Sequence, residues 1–179
     1  ALRRAFSNGN DREARRDMAV ASLCGGLALA NAKLGAVHGF ASPLCGMFPV
    51  PHGMACARLL PLIAEINVRA LRARMPNAVA LARYDEVARI VTGDASARAE
   101  DAAVWLRELV AELSVPGLAS YGVKGGDIPR VVAAACHQIT IVGVIGRNVL
   151  DAEVGVALAG EHVNAVAGTQ RAQLRKRPA

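Results

Sequence analysis

Two imidazoles, His38 and His52, stand fourteen residues apart in the apolar stretch GAVHGFASPLCGMFPVPHGMACARLLP, residues 35 to 61. Imidazole nitrogens bind divalent transition metals at about 2.0 to 2.1 Å, so two histidines sharing an ion must aim at one point. On one straight helix they would lie roughly 21 Å apart and share nothing. Gly46, Pro49 and Pro51 fall between them, and proline cannot continue the hydrogen-bond ladder of a helix. The pattern therefore predicts a helix-loop-helix reversal, with His38 on the first arm and His52 opening the second. On the residues alone two readings stay open: ligands of one metal, or a hydrogen-bonded pair in the core or on the surface. His137 and His162 have weaker settings still. A metal that does chemistry needs about three protein ligands and an open position. No obvious carboxylate partner appears: Glu65 lies several turns beyond His52, and Asp85 and Glu86 read as part of a solvated face.

The elements that must position this pair are helices. Aromatic content is only 3%, and alanine, leucine, valine and arginine dominate, which favours an all-α fold over a sheet. Residues 11 to 32 read as a helix with Asp11 as N-cap, interrupted by Gly25 and Gly26, which imply close approach of another helix. A short helix is expected over 35 to 46, and a longer one from Pro51 or His52 to about Arg74 with Leu59, Leu60, Ile63 and Ile66 as its apolar stripe. Pro76 closes it. Further helices are predicted over 79 to 91 and 99 to 115, the latter with Ala103, Leu106, Leu109, Val110 and Leu113 on one face. Another starts at Asp127 and Pro129. Residues 139 to 146 read as a short strand or an extended buried linker, 151 to 161 as a last helix, and 169 to 179 as a basic, disordered tail. Residues 1 to 168 are thus expected to form one all-helical domain, which the resemblance described below makes metal-binding.

Bulk properties exclude several functions. At 179 residues and 53% hydrophobic content the chain can bury one ordinary core. No stretch approaches the roughly 18 apolar residues of a membrane span, and no leader is recognisable, so a soluble, cytoplasmic protein without membrane partners is expected. The charge of +6 is scattered apart from REARR at 12 to 16 and RAQLRKRP at 171 to 178, and with few aromatics to stack bases no nucleic-acid partner is expected. Cys24, Cys45, Cys56 and Cys136 are isolated in apolar surroundings and read as buried free thiols.

The segment GLALANAKLGAVHGFASPLCGMFPVPHGMACARLLP resembles the signature region of the iron-containing (group III) alcohol dehydrogenases, with Asn31, Leu34, Gly35, His38, Pro51, His52 and Gly53 at the pattern positions. The likeness runs on through ARYDEVARIVTG and PGLASYGVKGGDIPRVVAAA to about residue 135. The resemblance implies the all-helical C-terminal domain of a dehydroquinate synthase-like, two-domain enzyme. It implies Fe(II), or Zn, held by His38 and His52 together with an aspartate and a histidine from a helix expected upstream of Ala1. It also implies NAD or NADP bound mainly by an N-terminal nucleotide-binding domain, and a homodimer is an admissible assembly. No G-x-G-x-x-G occurs here, so no cofactor-binding residue is assigned, and no catalytic residue beyond the metal ligands is named. Phe40 and Met47 are expected as pocket walls, although packing explains them equally well. Three departures stand out: Ser42 where many members carry a histidine, HQITIVGVIGRNV near the end, and the basic tail.

The resemblance therefore implies half of a metal-dependent, NAD(P)-linked alcohol dehydrogenase or aldehyde reductase, acting on a small alcohol or aldehyde and nearly inactive as this chain alone. A maleylacetate reductase-like domain ranks below it, because the doubled-histidine pattern usual at the first site is missing from AVHGFASPL. A non-catalytic helical remnant that binds a partner is the competing class. A small helical metal hydrolase would need a carboxylate and a histidine at helical spacing, which the sequence lacks.

Overall fold

A computed structural model describes residues 1–32 and 34–139, the side chains of 136–139 excepted. Every regular element among the described residues is helical, as expected of an all-α chain. The strand or linker expected at 139 to 146, the helix at 151 to 161, the tail and His162 lie outside the described residues, apart from Ile139, which ends a helix. Contacts divide the chain into two units, Ala1–Gly35 and the residues from Ala36 onward.

The first unit holds α1 (Leu2–Ser7) and α2 (Arg12–Asn31). Asp11 caps α2 as expected: its carboxylate accepts the Ala14 N–H at 3.0 Å. Arg4 on α1 donates to Asp11 at 2.9 and 3.1 Å and to Glu13 at 3.1 Å, tying the short helix to the start of the long one. The Ala14 amide, then the Arg4 guanidinium, hold the Asp11 carboxyl below its usual range. The close approach expected at Gly25 and Gly26 is not found, since a Cβ at either would meet nothing within 4 Å. Within this unit only Ala14 of α2 is buried, so no helix of the unit presses on the glycines.

The second unit is built from α3 (Ala36–Met47), α4 (His52–Arg74), α5 (Val79–Thr92), α6 (Ala99–Glu112) and α7 (Ile128–Ile139), with 3-10 turns at Leu118–Tyr121 and Gly125–Asp127. α3 packs on α4 and α7, while the distal part of α4 packs on α5 and α6. Phe40, Leu44, Leu59 and Val131 are fully buried where α3, α4 and α7 meet, and Val50 from the intervening loop joins them. Each such side chain contributes about 1.5–3 kcal/mol by leaving water. A second cluster joins Val68 and Leu71 of α4 to Leu81 of α5 and Ala99 of α6.

The helix boundaries follow the punctuation in the sequence, with informative exceptions. α3 stops at Met47 before Pro49, and α5 ends on Gly93, whose φ of 74° is the left-handed cap that glycine adopts freely. On α4, Leu59, Ile63 and Ile66 are buried, but Leu60 is exposed and Leu62 takes its place inward. Adjacent residues differ by about 100° around a helix, so Leu59 and Leu60 cannot both face the same core. α6 buries Ala103 and Val110 yet ends at Glu112, three residues short of the expected stop, because Ser114 turns to φ 51° ahead of Pro116. Asp127 directly precedes α7, but its carboxylate accepts the Lys124 N–H at 2.9 Å and closes the preceding turn. Asp85 is also reassigned: its side chain is only 16% exposed and it accepts the Ala99 N–H at 2.8 Å, capping α6 from α5.

Candidate metal centre

His38 lies in the first turn of α3, and His52 is the first residue of α4. Between them Phe48, Pro49, Val50 and Pro51 reverse the chain. The Val50 N–H donates to the Phe48 carbonyl at 2.8 Å, and the apolar Val50 side chain is driven into the core. Pro51 then opens α4: its carbonyl accepts from Met54 and Ala55 at 2.9 and 3.0 Å, and its fixed φ suits a helix start. The result brings the two imidazoles to a centroid separation of 5.4 Å, with the ring planes tilted by 45°. The reversal required by the two-histidine pattern is therefore present, and the rings share one hollow.

A third donor stands beside them. Cys56, one helical turn after His52 on the same face of α4, places its Sγ 3.4 Å from His52 Nε2. Ligand atoms of His38, His52 and Cys56 all lie within 4.8 Å of one another. Cys45 Sγ lies 4.0 Å from the other ring nitrogen, His52 Nδ1. His38 and Cys56 are half-buried and His52 is exposed, so the cluster is walled on one side and open on the other. Burial pushes the Cys56 thiol above its usual value, and the nearby Cys45 adds to the rise.

Sequence reasoning overlooked this thiol. The signal is the His-x-x-x-Cys spacing in HGMAC, which puts two side chains of metal-ligand type on one helical face; reading all four cysteines as buried thiols passes over it. In the structure Cys24 is exposed, and Cys45 and Cys56 are only partly buried. Phe40 is fully buried in the α3–α4–α7 core, and Met47 packs on that core, so neither is needed as a pocket wall to explain its position. Ser42 is exposed on α3. His137 falls on α7, where its side chain is not described.

A cavity of about 550 Å³ lies elsewhere, between α4 and α6, and shares no residue with the histidine cluster. Its charged groups are already engaged: Arg107 pairs with Glu65, and Arg72 donates to Glu100 at 2.8 and 3.1 Å. The donor chemistry belongs to the α3–α4 reversal, which is therefore the better candidate for function.

Comparisons with known proteins identify the family. The profile of the Fe-containing alcohol dehydrogenase family, C-terminal part, matches residues 1–145. The chain is 36% identical over 135 residues to the 1,3-propanediol dehydrogenase of Klebsiella pneumoniae, an overlap covering 75% of this chain and 34% of that one. It is 39% identical over 132 residues to alcohol dehydrogenase 4 of Schizosaccharomyces pombe, covering 73% and 29% respectively. Among solved structures, a 1,3-propanediol oxidoreductase superposes with a TM-score of 0.72 at 29% identity, over 92% of this chain and 41% of that one. The chain belongs to the Fe-containing alcohol dehydrogenase family and carries its all-helical C-terminal domain. It spans about a third of the length of the curated relatives it matches.

Proposed function

We propose that this chain is the metal-holding helical half of an NAD(P)-linked alcohol dehydrogenase or aldehyde reductase, with His38 and His52 as two ligands of its divalent ion. The observation that carries the reading is the convergence of these two imidazoles across the two-proline reversal, at positions matching the family signature. The donors fit such a group: neutral imidazole suits iron and zinc alike, and one side of the cluster stays open for a substrate oxygen. When bound, the ion would act as a Lewis acid on an alcohol or carbonyl oxygen while hydride passes to or from the nicotinamide.

The contribution of this chain is positional. α3 and α4 fix the two rings from different directions, and the buried Phe40 and Val50 keep the arms from sliding. The nicotinamide cofactor and the remaining ligands that the family implies, an aspartate and a histidine, are assigned to a partner nucleotide-binding domain. The names of the relatives, 1,3-propanediol dehydrogenase and lactaldehyde reductase among them, favour a small alcohol or aldehyde as substrate.

Joining the chain to that domain and following alcohol-dependent NAD(P) reduction tests the reading. Activity should appear with about one divalent ion per complete enzyme and should vanish, together with the ion, in His38→Ala and in His52→Ala. A folded, active enzyme that keeps its metal in both variants would remove the basis of the assignment.

A further inference from the structure

The two faces of α5 are of opposite kind. Leu81, Tyr84, Asp85 and Ala88 point inward. Leu81 joins the cluster with Val68 and Leu71, the Tyr84 hydroxyl accepts from Asn67 at 3.1 Å, Asp85 caps α6, and Ala88 is fully buried. The other face carries Val79, Ala82, Arg83, Glu86, Val87 and Ile90, all exposed, with Val79 and Ile90 at 71% and 72%. At about 100° per residue these six fall within an arc of roughly 140°, the width of a helix–helix contact stripe. Three aliphatic side chains in that stripe make an apolar surface with nothing from the described residues to cover it.

The order of residues along this face is symmetric. Val79 stands as far before the midpoint of Tyr84 and Asp85 as Ile90 stands after it. The same holds for Ala82 with Val87, and for Arg83 with Glu86. A two-fold interface needs this property, because each residue must suit the one that the rotation brings opposite it. We infer that the outer face of α5 is an isologous interface with a second copy of this chain, the two helices running antiparallel about an axis through that midpoint.

In this register Val79 meets Ile90 of the partner subunit at each end of the contact, and Ala82 meets Val87 of the partner subunit beside it. Arg83 faces Glu86 of the partner subunit, and the rotation repeats that opposite-charge pair. Among the described residues neither Arg83 nor Glu86 is ion-paired within its own chain, so both charges are available to the second copy. Sliding either helix by one turn sets aliphatic side chains against charges, so the pattern selects one register as well as one orientation. The 14 residues of α5 fall short of the roughly 1,200 Å² at which stable interfaces begin, so the dimer formed through this helix alone is weak and concentration-dependent. The inference is independent of metal ligation by His38 and His52, which lie on other helices.

The test is sedimentation equilibrium of the full chain at low salt and rising concentration. The chain carries Leu23→Lys and Leu27→Lys, so that the exposed apolar residues of α2 do not contribute. A monomer–dimer equilibrium is expected. Arg83→Glu and Glu86→Arg should each weaken it by at least about tenfold, because each places two like-charge pairs in the contact. Combining the two reversals restores opposite charges across the axis and should return the association to within about threefold of the starting protein. Ile90→Asp should weaken it without rescue by either reversal. Circular dichroism melts check that each variant keeps the monomer fold, as expected for changes confined to exposed positions.

The inference is overturned by a chain that stays monomeric up to about 1 mM, a dissociation constant worth only about a third of a nanomolar complex in free energy. It is equally overturned by a dimer indifferent to both charge reversals, or by a combined variant no better than the single ones. None of these results bears on the metal content of the complete enzyme, which decides the histidine assignment separately.

Discussion

Phe40 and His38 lie two positions apart on α3 and illustrate how packing and chemistry divide one short helix. Phe40 is fully buried among Leu44, Leu59 and Val131, while His38 turns toward His52. Truncating a buried phenylalanine leaves a cavity costing about 3–5 kcal/mol, so Phe40→Ala should lower the urea midpoint strongly. It should also weaken metal binding, by loosening the arm that carries His38. A Met replacement, which refills most of the volume, should recover much of both. Asp11 offers a residue-scale test in the other unit. Its folded-state carboxyl is held below the unfolded value of about 3.9, so its contribution is complete above that pH and is lost as pH falls through the folded value. The protection factors of amides in the first turn of α2 should therefore fall on acidification, and less so in Asp11→Asn.

The distal ends of α4, α5 and α6 are joined by charge as well as by the Val68–Leu71–Leu81–Ala99 cluster. Arg72 of α4 reaches Glu100 of α6 at 2.8 Å and Asp85 of α5 at 3.8 Å. The Arg72 hydrogen bond holds the Glu100 carboxyl below its usual range, opposed by partial burial. Stability from this link is present above the unfolded glutamate value of about 4.3 and disappears as pH drops through the folded one. With Arg72 and Glu100 43% and 55% exposed, solvent screening keeps the effect small. Arg72→Met should flatten the acid limb of the melting temperature against pH without touching metal binding. Gly93→Ala should cost about 1–2 kcal/mol by forcing a Cβ into the left-handed cap of α5.

The helical class, the α3 and α4 boundaries and the reversal between the histidines were legible in the sequence because glycine and proline restrict the backbone locally. Tertiary details were not: Leu60 against Leu62 and Asp85 as a cap for a different helix depend on which face a neighbour covers, whereas Cys56 beside His52 follows from helical spacing alone. At the scale of the whole chain, α2 shows how far one unit can leave apolar surface uncovered. Val20, Leu23 and Leu27, at helical spacing on one face, are 55%, 65% and 58% exposed. Patches of this kind mark association surfaces. A hydrophobic dye should bind the isolated chain, and a Leu23→Lys, Leu27→Lys double variant should lose most of that signal while the core around Phe40 melts unchanged. Among the described residues no single helix is long and apolar enough to cross a membrane.

The reversal at Pro49 and Pro51 has one more consequence. Two pyrrolidine rings and a buried valine stiffen the turn, so an ion held there as proposed would cost little chain entropy. Small zinc modules melt when stripped by EDTA; under that proposal this bend should instead keep its shape with and without an ion, as a ready-made claw.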